Sequence, residues 1–281
     1  METIEIETVI IGAGQAGLAT GYHLQRRGRP YVILDANSRL GDNWRRQWDT
    51  LKLYSPAQYD SLPGLPFPAR KWTYPGKDQV GDYLDTYARH FELPVTLETR
   101  VQTLEREDEQ YVVTTDRGRY RCDNVVVATG RFGRTPQVPA IPDQLDPAIL
   151  QLHSSEYRRP GQLRGGQVLV VGASHSGTDI AFEVAETHLT ILAGRDCGQI
   201  PPRLESRRMR LVFPMLLVAW RHIVTRSGAA ACLRVLATGG GPDTGGEVRV
   251  PVGDDYRNPR RASHVRRLDV SRRGAGRGAR R

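Results

Sequence analysis

The sequence predicts an α/β fold with two Rossmann-like dinucleotide-binding domains, and two matched glycine-rich turns support that prediction. Each turn follows a strand rich in β-branched residues and opens a helix, which leads to a second strand. The first unit spans residues 5–35 and the second spans residues 167–195. This order of elements forms the βαβ unit that holds the phosphates of a dinucleotide.

The first turn contains six residues at the dinucleotide spacing: Gly12, Ala13, Gly14, Gln15, Ala16 and Gly17. Gly12 permits a tight turn, Gly14 lets a pyrophosphate approach the backbone, and Gly17 lets the helix pack against the strand. Asp35 ends the second strand, where a carboxylate can accept hydrogen bonds from ribose hydroxyls. We therefore expect this unit to bind the ADP half of a cofactor, and FAD is the cofactor that we expect.

The second turn contains Gly172, Ala173, Ser174, His175, Ser176 and Gly177. Gly172 lies 23 positions before Arg195, and Gly12 lies 23 positions before Asp35. An arginine can pair with the 2′-phosphate of a ribose, whereas a carboxylate would repel it. We therefore expect NADPH at the second site, with Gly172, Ser174, Ser176, Gly177 and Arg195 as binding residues. The alternative is a surface Arg195 without a ligand. Two such sites in one chain predict electron transfer between nicotinamide and flavin.

The region between the two units returns the chain to the first sheet. Residues 95–122 alternate in the manner of short antiparallel strands, with a hairpin turn at residues 116–118. The next strand ends in Ala128, Thr129 and Gly130, a turn of small residues that we expect beside the first cofactor.

Two further segments contain candidate site residues. The loop at residues 41–56 contains Trp44 and Arg45, which we expect to lie across the flavin or its pyrophosphate; the alternative is ordinary domain packing. His153 is a candidate to face the nicotinamide, and a surface hydrogen-bonding role is equally open. No residue pattern identifies a catalytic acid or base.

Composition excludes several other classes of protein. Residues 247–281 carry eleven arginines and four acidic residues, which leaves a net charge of only +2 for residues 1–246. Since the basic tail lacks interleaved aromatic residues, we expect no specific nucleic-acid partner. The cysteines at 122, 197 and 232 are too far apart for a disulfide framework or a metal site. We therefore expect a cytoplasmic protein without a bound metal.

The longest apolar run, residues 211–220, is about half the length needed to cross a bilayer. We therefore expect no transmembrane segment, and we interpret this run as a buried or lid helix. Nor does the N-terminus read as a signal peptide, because a strand runs directly into the first glycine turn.

The ordered motifs from about Ile6 to Arg203 resemble the flavin-containing monooxygenase-like flavoproteins related to Baeyer-Villiger monooxygenases. They are the two glycine turns, Gly41-Asp-Asn-Trp44-Arg45, Leu53-Tyr-Ser-Pro56, Ala128-Thr-Gly130, His153-Ser-Ser-x-Tyr157 and Arg195. The resemblance implies an NADPH-dependent monooxygenase that inserts oxygen from dioxygen into a small organic substrate through a C4a-peroxyflavin. The alternatives are an NADPH oxidase or flavin reductase without oxygen transfer, and an inactive truncated nucleotide-binding remnant.

The predicted organisation has four parts. Residues 1–140 form an FAD-binding domain, 141–160 a linker, 161–238 an NADPH-binding domain and 239–281 an Arg/Gly-rich tail. Relatives continue with a return into the FAD domain that this chain lacks, so we expect a C-terminal truncation. The tail has few apolar anchors, which predicts disorder or an out-of-frame translation.

Overall fold

The computed structural model describes residues 3–130, 136, 145–194, 206–219 and 265–268. The chain divides into two compact units, Met1–Arg158 and Arg159–Arg281. Their boundary lies inside the predicted linker at residues 141–160, and the remaining domain limits stay predictions. No helix in the described part of the chain has both the length and the apolar character needed to span a bilayer.

One six-stranded sheet forms the centre of the first unit. Its strands are β1 (Thr3–Ile11), β2 (Tyr31–Leu34), β3 (Val95–Thr96), β4 (Val101–Glu107), β5 (Gln110–Thr115) and β6 (Arg119–Val127). Their order in the sheet is β3-β2-β1-β6-β5-β4. β1 pairs in parallel with β2 and β6, and β2 pairs in parallel with β3. β4, β5 and β6 form an antiparallel meander, as predicted, with residues 116–118 as its second turn.

Among the described residues of the first unit there are three α-helices: α1 (Gln15–Gln25), α2 (Asp42–Arg45) and α3 (Lys77–His90). On one face of the sheet, Ile10 of β1 lies in a core cluster with Leu18 of α1 and Leu84 of α3. On the other face, Val9 and Ile11 pack among residues of the meander. Because both faces are covered, β1 is a continuous apolar run where it lies deepest, which is typical of a parallel strand.

The second unit contains a βαβ arrangement and a further helix. Its elements are β7 (Gln167–Val171), α4 (His175–Val184), β8 (Leu189–Ala193), α5 (Arg207–Ala219) and β9 (Val265–Leu268). The three strands are parallel and lie in the order β7-β8-β9. Ala181 of α4 packs against Leu192 and Val170 on one face of this sheet.

Two expectations need correction. β3 pairs in parallel with β2, because the chain crosses from β2 through α3 before it returns to the sheet, so it does not join the antiparallel meander. The four described residues of the Arg/Gly-rich tail form β9, which pairs with β8, and the disorder or out-of-frame translation expected for the tail stays a prediction. The helix expected near residues 211–220 is present as α5, but its Leu211 and Met215 are 77% and 71% exposed, so those side chains are not buried.

Candidate dinucleotide-binding sites

The first glycine turn lies between the ends of β2 and β6. Gly12 has a φ of +104°, and its amide donates to the Leu34 carbonyl at 2.7 Å. The Ala128 amide donates to the Ile11 carbonyl at 2.8 Å, so the end of β6 lies against the turn. A Cβ atom at Gly12 would lie 2.6 Å from the Ala128 oxygen. Both the backbone conformation and the space therefore require glycine at this position.

Gly17 and Gly14 are glycines for different reasons. A Cβ atom at Gly17 would lie 1.9 Å from the Gly12 oxygen, so the protein itself excludes any side chain there. Gly14 has extended backbone angles, φ −81° and ψ −172°, and an added Cβ would meet nothing within 4 Å. Neither strain nor packing accounts for a glycine at position 14, and the space in front of it is open to a ligand.

The open space lies at the start of α1. Gln15 and Ala16 are exposed and belong to the first turn of this helix. The amides of a first helical turn have no intrahelical acceptor, and the helix dipole favours an anion in front of them. The turn therefore has the shape and the polarity of a phosphate cradle.

Asp35 supports the turn from the end of β2. Its side chain is buried, with 8% of the residue exposed. Oδ2 accepts a hydrogen bond from the Ala13 amide at 2.7 Å, and Oδ1 accepts from both the amide and Nδ2 of Asn37 at 2.8 Å. Because two carboxylate oxygens offer about four acceptor positions, Asp35 retains acceptor capacity for a ribose hydroxyl while it holds the turn.

Thr129 and Gly130 are exposed beyond the end of β6, and Gly130 has a φ of +66°. Ala128 makes the closest approach of this motif to Gly12, and the Cα atom of Thr129 would lie 3.2 Å from a Cβ atom added there. The structure thus brings Ala128 to the turn, and contacts of Thr129 and Gly130 with a cofactor stay predictions.

Trp44 and Arg45 lie on α2, and their side chains contact different parts of the first unit. Trp44 is partly buried against the main core cluster. The Arg45 side chain is only 12% exposed, and its Nη2 donates to Oδ1 of Asp82 on α3 at 2.7 Å. The guanidinium is therefore directed at α3, as in the packing alternative, and a direct contact of Trp44 or Arg45 with the flavin or its pyrophosphate stays a prediction.

The second turn repeats the geometry of the first. Gly172 has a φ of +107°, and its amide donates to the Ala193 carbonyl at 2.7 Å. A Cβ atom at Gly177 would lie 1.7 Å from the Gly172 oxygen. Ser174 has φ −87° and ψ −175°, close to the angles of Gly14, and both Ser174 and Ser176 are exposed. Arg195 lies outside the described residues, so its role stays a prediction.

Two residues near the turns were missed by sequence reasoning. A Cβ atom at Gly194 would lie 2.4 Å from the Ala173 amide nitrogen, so β8 ends close against the second turn. Asn37 binds Asp35 next to the first turn. The signal for Asn37 was a polar side chain two positions after the strand-ending acid, and that for Gly194 was a glycine directly after the second strand.

His153 is engaged in a local turn within the first unit. Its Nδ1 accepts a hydrogen bond from the Ser155 amide at 3.1 Å and lies 2.8 Å from the Ser155 hydroxyl. Its own amide donates to Oε2 of Glu156 at 2.9 Å. These bonds are those of a residue with a local hydrogen-bonding role, and a contact with nicotinamide stays a prediction.

A glycine turn at the end of a central parallel strand, beside an acid that ends the next strand, defines a dinucleotide-binding α/β protein. The model of the pyridine nucleotide-disulphide oxidoreductase family matches residues 9–197. The chain belongs to this family.

Individual relatives place the chain near flavin-dependent oxygenases. It is 44% identical over 181 residues to an uncharacterized CzcO-like oxidoreductase of Geobacillus kaustophilus, covering 64% of this chain and 52% of the relative. It is 31% identical over 223 residues to a probable indole-3-pyruvate monooxygenase of Arabidopsis thaliana, covering 75% and 52%. A solved flavin-containing monooxygenase of Stenotrophomonas maltophilia matches with a TM-score of 0.63 at 33% identity, covering 75% and 63%. The chain thus spans about half the length of these curated relatives.

Proposed function

We propose that this protein is an FAD- and NADPH-dependent oxidoreductase of the monooxygenase type, acting on a small organic substrate with dioxygen. The observation that carries the proposal is the open space at Gly14. A side chain at this position would contact no protein atom within 4 Å, whereas it would obstruct the approach of a pyrophosphate to the backbone. The flavin-containing and indole-3-pyruvate monooxygenases among the relatives support the class of reaction.

FAD is assigned to the first site. Gly12, Gly14 and Gly17 shape the turn, and the amides of Gln15 and Ala16 face the phosphates. Asp35 accepts a hydrogen bond from the adenosine ribose with the acceptor capacity that Ala13 and Asn37 leave free, about one position of four. These residues fit a dinucleotide whose ribose carries free hydroxyls, as the adenosine ribose of FAD does.

NADPH is assigned to the second site. Gly172 and Gly177 form the turn, and the exposed hydroxyls of Ser174 and Ser176 are available to its phosphates. Arg195 follows directly after Gly194 and is assigned to the 2′-phosphate, because a guanidinium can bind a phosphate through two parallel hydrogen bonds.

The chemistry belongs to the cofactors. When bound, FAD and NADPH would supply the redox chemistry, which is hydride transfer from nicotinamide to flavin and electron transfer to dioxygen. The described residues contribute binding, orientation and the first-turn amides, and none of them is assigned as a proton donor or acceptor. Disulfide reduction is not proposed, because the buried Cys122 is free and its thiol pKa is raised by burial, which leaves it poorly suited to exchange with a disulfide.

The first test measures FAD binding to the wild type and to Gly14→Ala. The new methyl group would occupy the open space, so we expect the FAD dissociation constant to rise about tenfold or more, as overpacking costs about 1–3 kcal/mol. The free energy of unfolding without cofactor should fall by no more than about 1 kcal/mol, the cost of alanine at a helix N-cap.

Gly76→Ala is the matched control. Gly76 is the N-cap of α3, with similar extended angles of φ −80° and ψ 166°, and an added Cβ would make only an ordinary contact at 3.7 Å. It should show a similar loss of stability and no loss of FAD affinity. Equal effects of the two substitutions on FAD binding would refute the assignment of the turn.

Electron transfer and oxygen transfer are tested on the reconstituted protein. Anaerobic NADPH should bleach the visible flavin spectrum, and in air the ratio of peroxide released to NADPH consumed should fall when a true substrate is added. A ratio near one with every candidate substrate would favour an oxidase. A wild-type chain that binds no FAD would overturn the proposal.

A further inference from the structure

The junction of α2 and α3 contains a slot that two glycines make possible. Gly41, with a φ of +78°, lies so near α3 that an added Cβ would be 2.5 Å from the Cα atom of Gly81. A Cβ atom at Gly81 would in turn lie 2.9 Å from Cζ of Arg45. The Arg45 side chain therefore fills the space that is left by the absent side chain of Gly81.

Both the guanidinium and the backbone carbonyl of Arg45 are hydrogen-bonded in this slot. Its guanidinium donates to the Leu40 carbonyl at 2.5 Å and to Oδ1 of Asp82 at 2.7 Å. Its backbone carbonyl accepts a hydrogen bond at 2.9 Å from Nζ of Lys77, a lysine that is only 8% exposed. Hydrogen bonds with ionised donors in partly buried surroundings are among the stronger ones in proteins. These contacts tie α2 to the first turns of α3.

A hydrogen-bonded path leads from α2 to the first glycine turn. Arg46, the residue after α2, donates from Nη1 to Oδ1 of Asn37 at 3.0 Å, and Asn37 Nδ2 lies 3.4 Å from Oδ1 of Asn43 within α2. Asn37 donates twice to Oδ1 of Asp35, whose Oδ2 accepts from the Ala13 amide. The position of α2 is therefore transmitted to Asp35 and to the turn.

We infer that Arg45 is a positioning residue, which locks α2 against α3 and through Asn37 holds Asp35 and the glycine turn in the geometry that binds the ADP half of FAD. This inference rests on the proposed assignment of FAD to the first site. It changes the role predicted for Arg45 from a direct cofactor contact to an indirect one, since its guanidinium donates to α3 and to the Leu40 carbonyl.

The test compares Arg45→Gln with Arg89→Gln. Arg89 lies on α3 and, like Arg45, pairs with an aspartate of that helix, Asp85, but its side chain is 75% exposed and is not part of the path described above. Arg45→Gln should weaken FAD and ADP by the same factor, about 3- to 30-fold, as expected for loss of 0.5–2 kcal/mol of coupling. Arg89→Gln should bind both ligands like the wild type.

Hydrogen exchange of the Ala13 amide separates positioning from direct contact. In the protein without ligand, Arg45→Gln should speed the exchange of this amide, because its acceptor Asp35 is no longer held. Gly81→Ala is the second variant, because alanine favours the helix more than glycine does, whereas its methyl group would displace Arg45. It should reproduce both effects without loss of helical content.

The outcomes are distinct. Weaker FAD and ADP with unchanged Ala13 exchange would show a direct contact and overturn the inference, as would unchanged binding in both variants. If the wild type binds neither FAD nor ADP, the proposed function fails. The exchange rate of the Ala13 amide in the two variants then tests by itself whether Arg45 positions Asp35 and the glycine turn.

Discussion

Asp60 has a buried carboxylate oxygen, Oδ2, to which no described residue donates a hydrogen bond. Its Oδ1 accepts from the Ser55 hydroxyl. Burial raises the pKa of this carboxyl above its ordinary value, and the bond from Ser55 opposes that rise only in part. The folded protein therefore favours the protonated form of Asp60 more than the unfolded chain does.

Asp60→Asn should stabilise the protein at neutral pH. Because the folded pKa exceeds the unfolded one, the native state binds more protons between these two values, and stability falls as pH rises through this window. Removing the charge should raise the free energy of unfolding at pH 7 by about 1 kcal/mol. The gain should vanish below about pH 4, the ordinary carboxyl pKa. Urea denaturation at both pH values measures it, and a gain independent of pH would contradict the explanation.

At the scale of elements, α3 anchors the loop that follows the 3₁₀ turn Ala57–Tyr59. The Tyr83 hydroxyl accepts from the Leu62 amide and donates to the Leu65 carbonyl, both at 2.7 Å. The Tyr87 hydroxyl donates to the Pro63 carbonyl at 2.7 Å. Two phenols on one face of a helix thus satisfy backbone groups of a loop that contains a single isolated β-bridge, between Leu62 and Leu65.

Tyr83→Phe should therefore cost more than Tyr87→Phe. The first substitution leaves both a donor and an acceptor of the backbone without a partner, and the second leaves one acceptor. We expect losses of about 2 and 1 kcal/mol in the free energy of unfolding. Urea titrations of the two variants provide the comparison, in which the rings stay in place and only the hydroxyls are removed. A smaller loss for Tyr83→Phe would contradict the proposed anchoring.

The elements that the sequence predicts well are those whose signals are local. The strand, turn, helix and strand of each unit follow from spacing within about thirty residues, and the structure places both turns as expected. The direction of β3 and the role of Arg45 depend on distant partners. Asp82 lies 37 positions after Arg45, and no sequence pattern around either residue predicts their contact. The sequence therefore predicted the return of the chain to the first sheet, but not these two long-range contacts.

At the scale of the whole molecule, the proposed function assigns one dinucleotide to each of the two units, Met1–Arg158 and Arg159–Arg281. Arg195→Ala should weaken NADPH about 10- to 100-fold, as for the loss of 1.5–3 kcal/mol of hydrogen bonds to a charged group, and leave NADH almost unchanged. FAD affinity should not change, because Asp35 and the first turn belong to Met1–Arg158. Dissociation constants for all three ligands test this, and equal losses for NADPH and NADH would refute the role of Arg195.

Gly14 and Ser174 adopt nearly the same backbone angles, although one residue is a glycine and the other is not. A library of substitutions at position 14, selected only for folded protein, should therefore retain many amino acids. The same library selected for a yellow, cofactor-loaded protein should retain almost none but glycine. Position 17 should be depleted in both selections, because the carbonyl of Gly12 occupies the place of its side chain. Comparing the two selections would separate residues kept for the fold from those kept for the ligand.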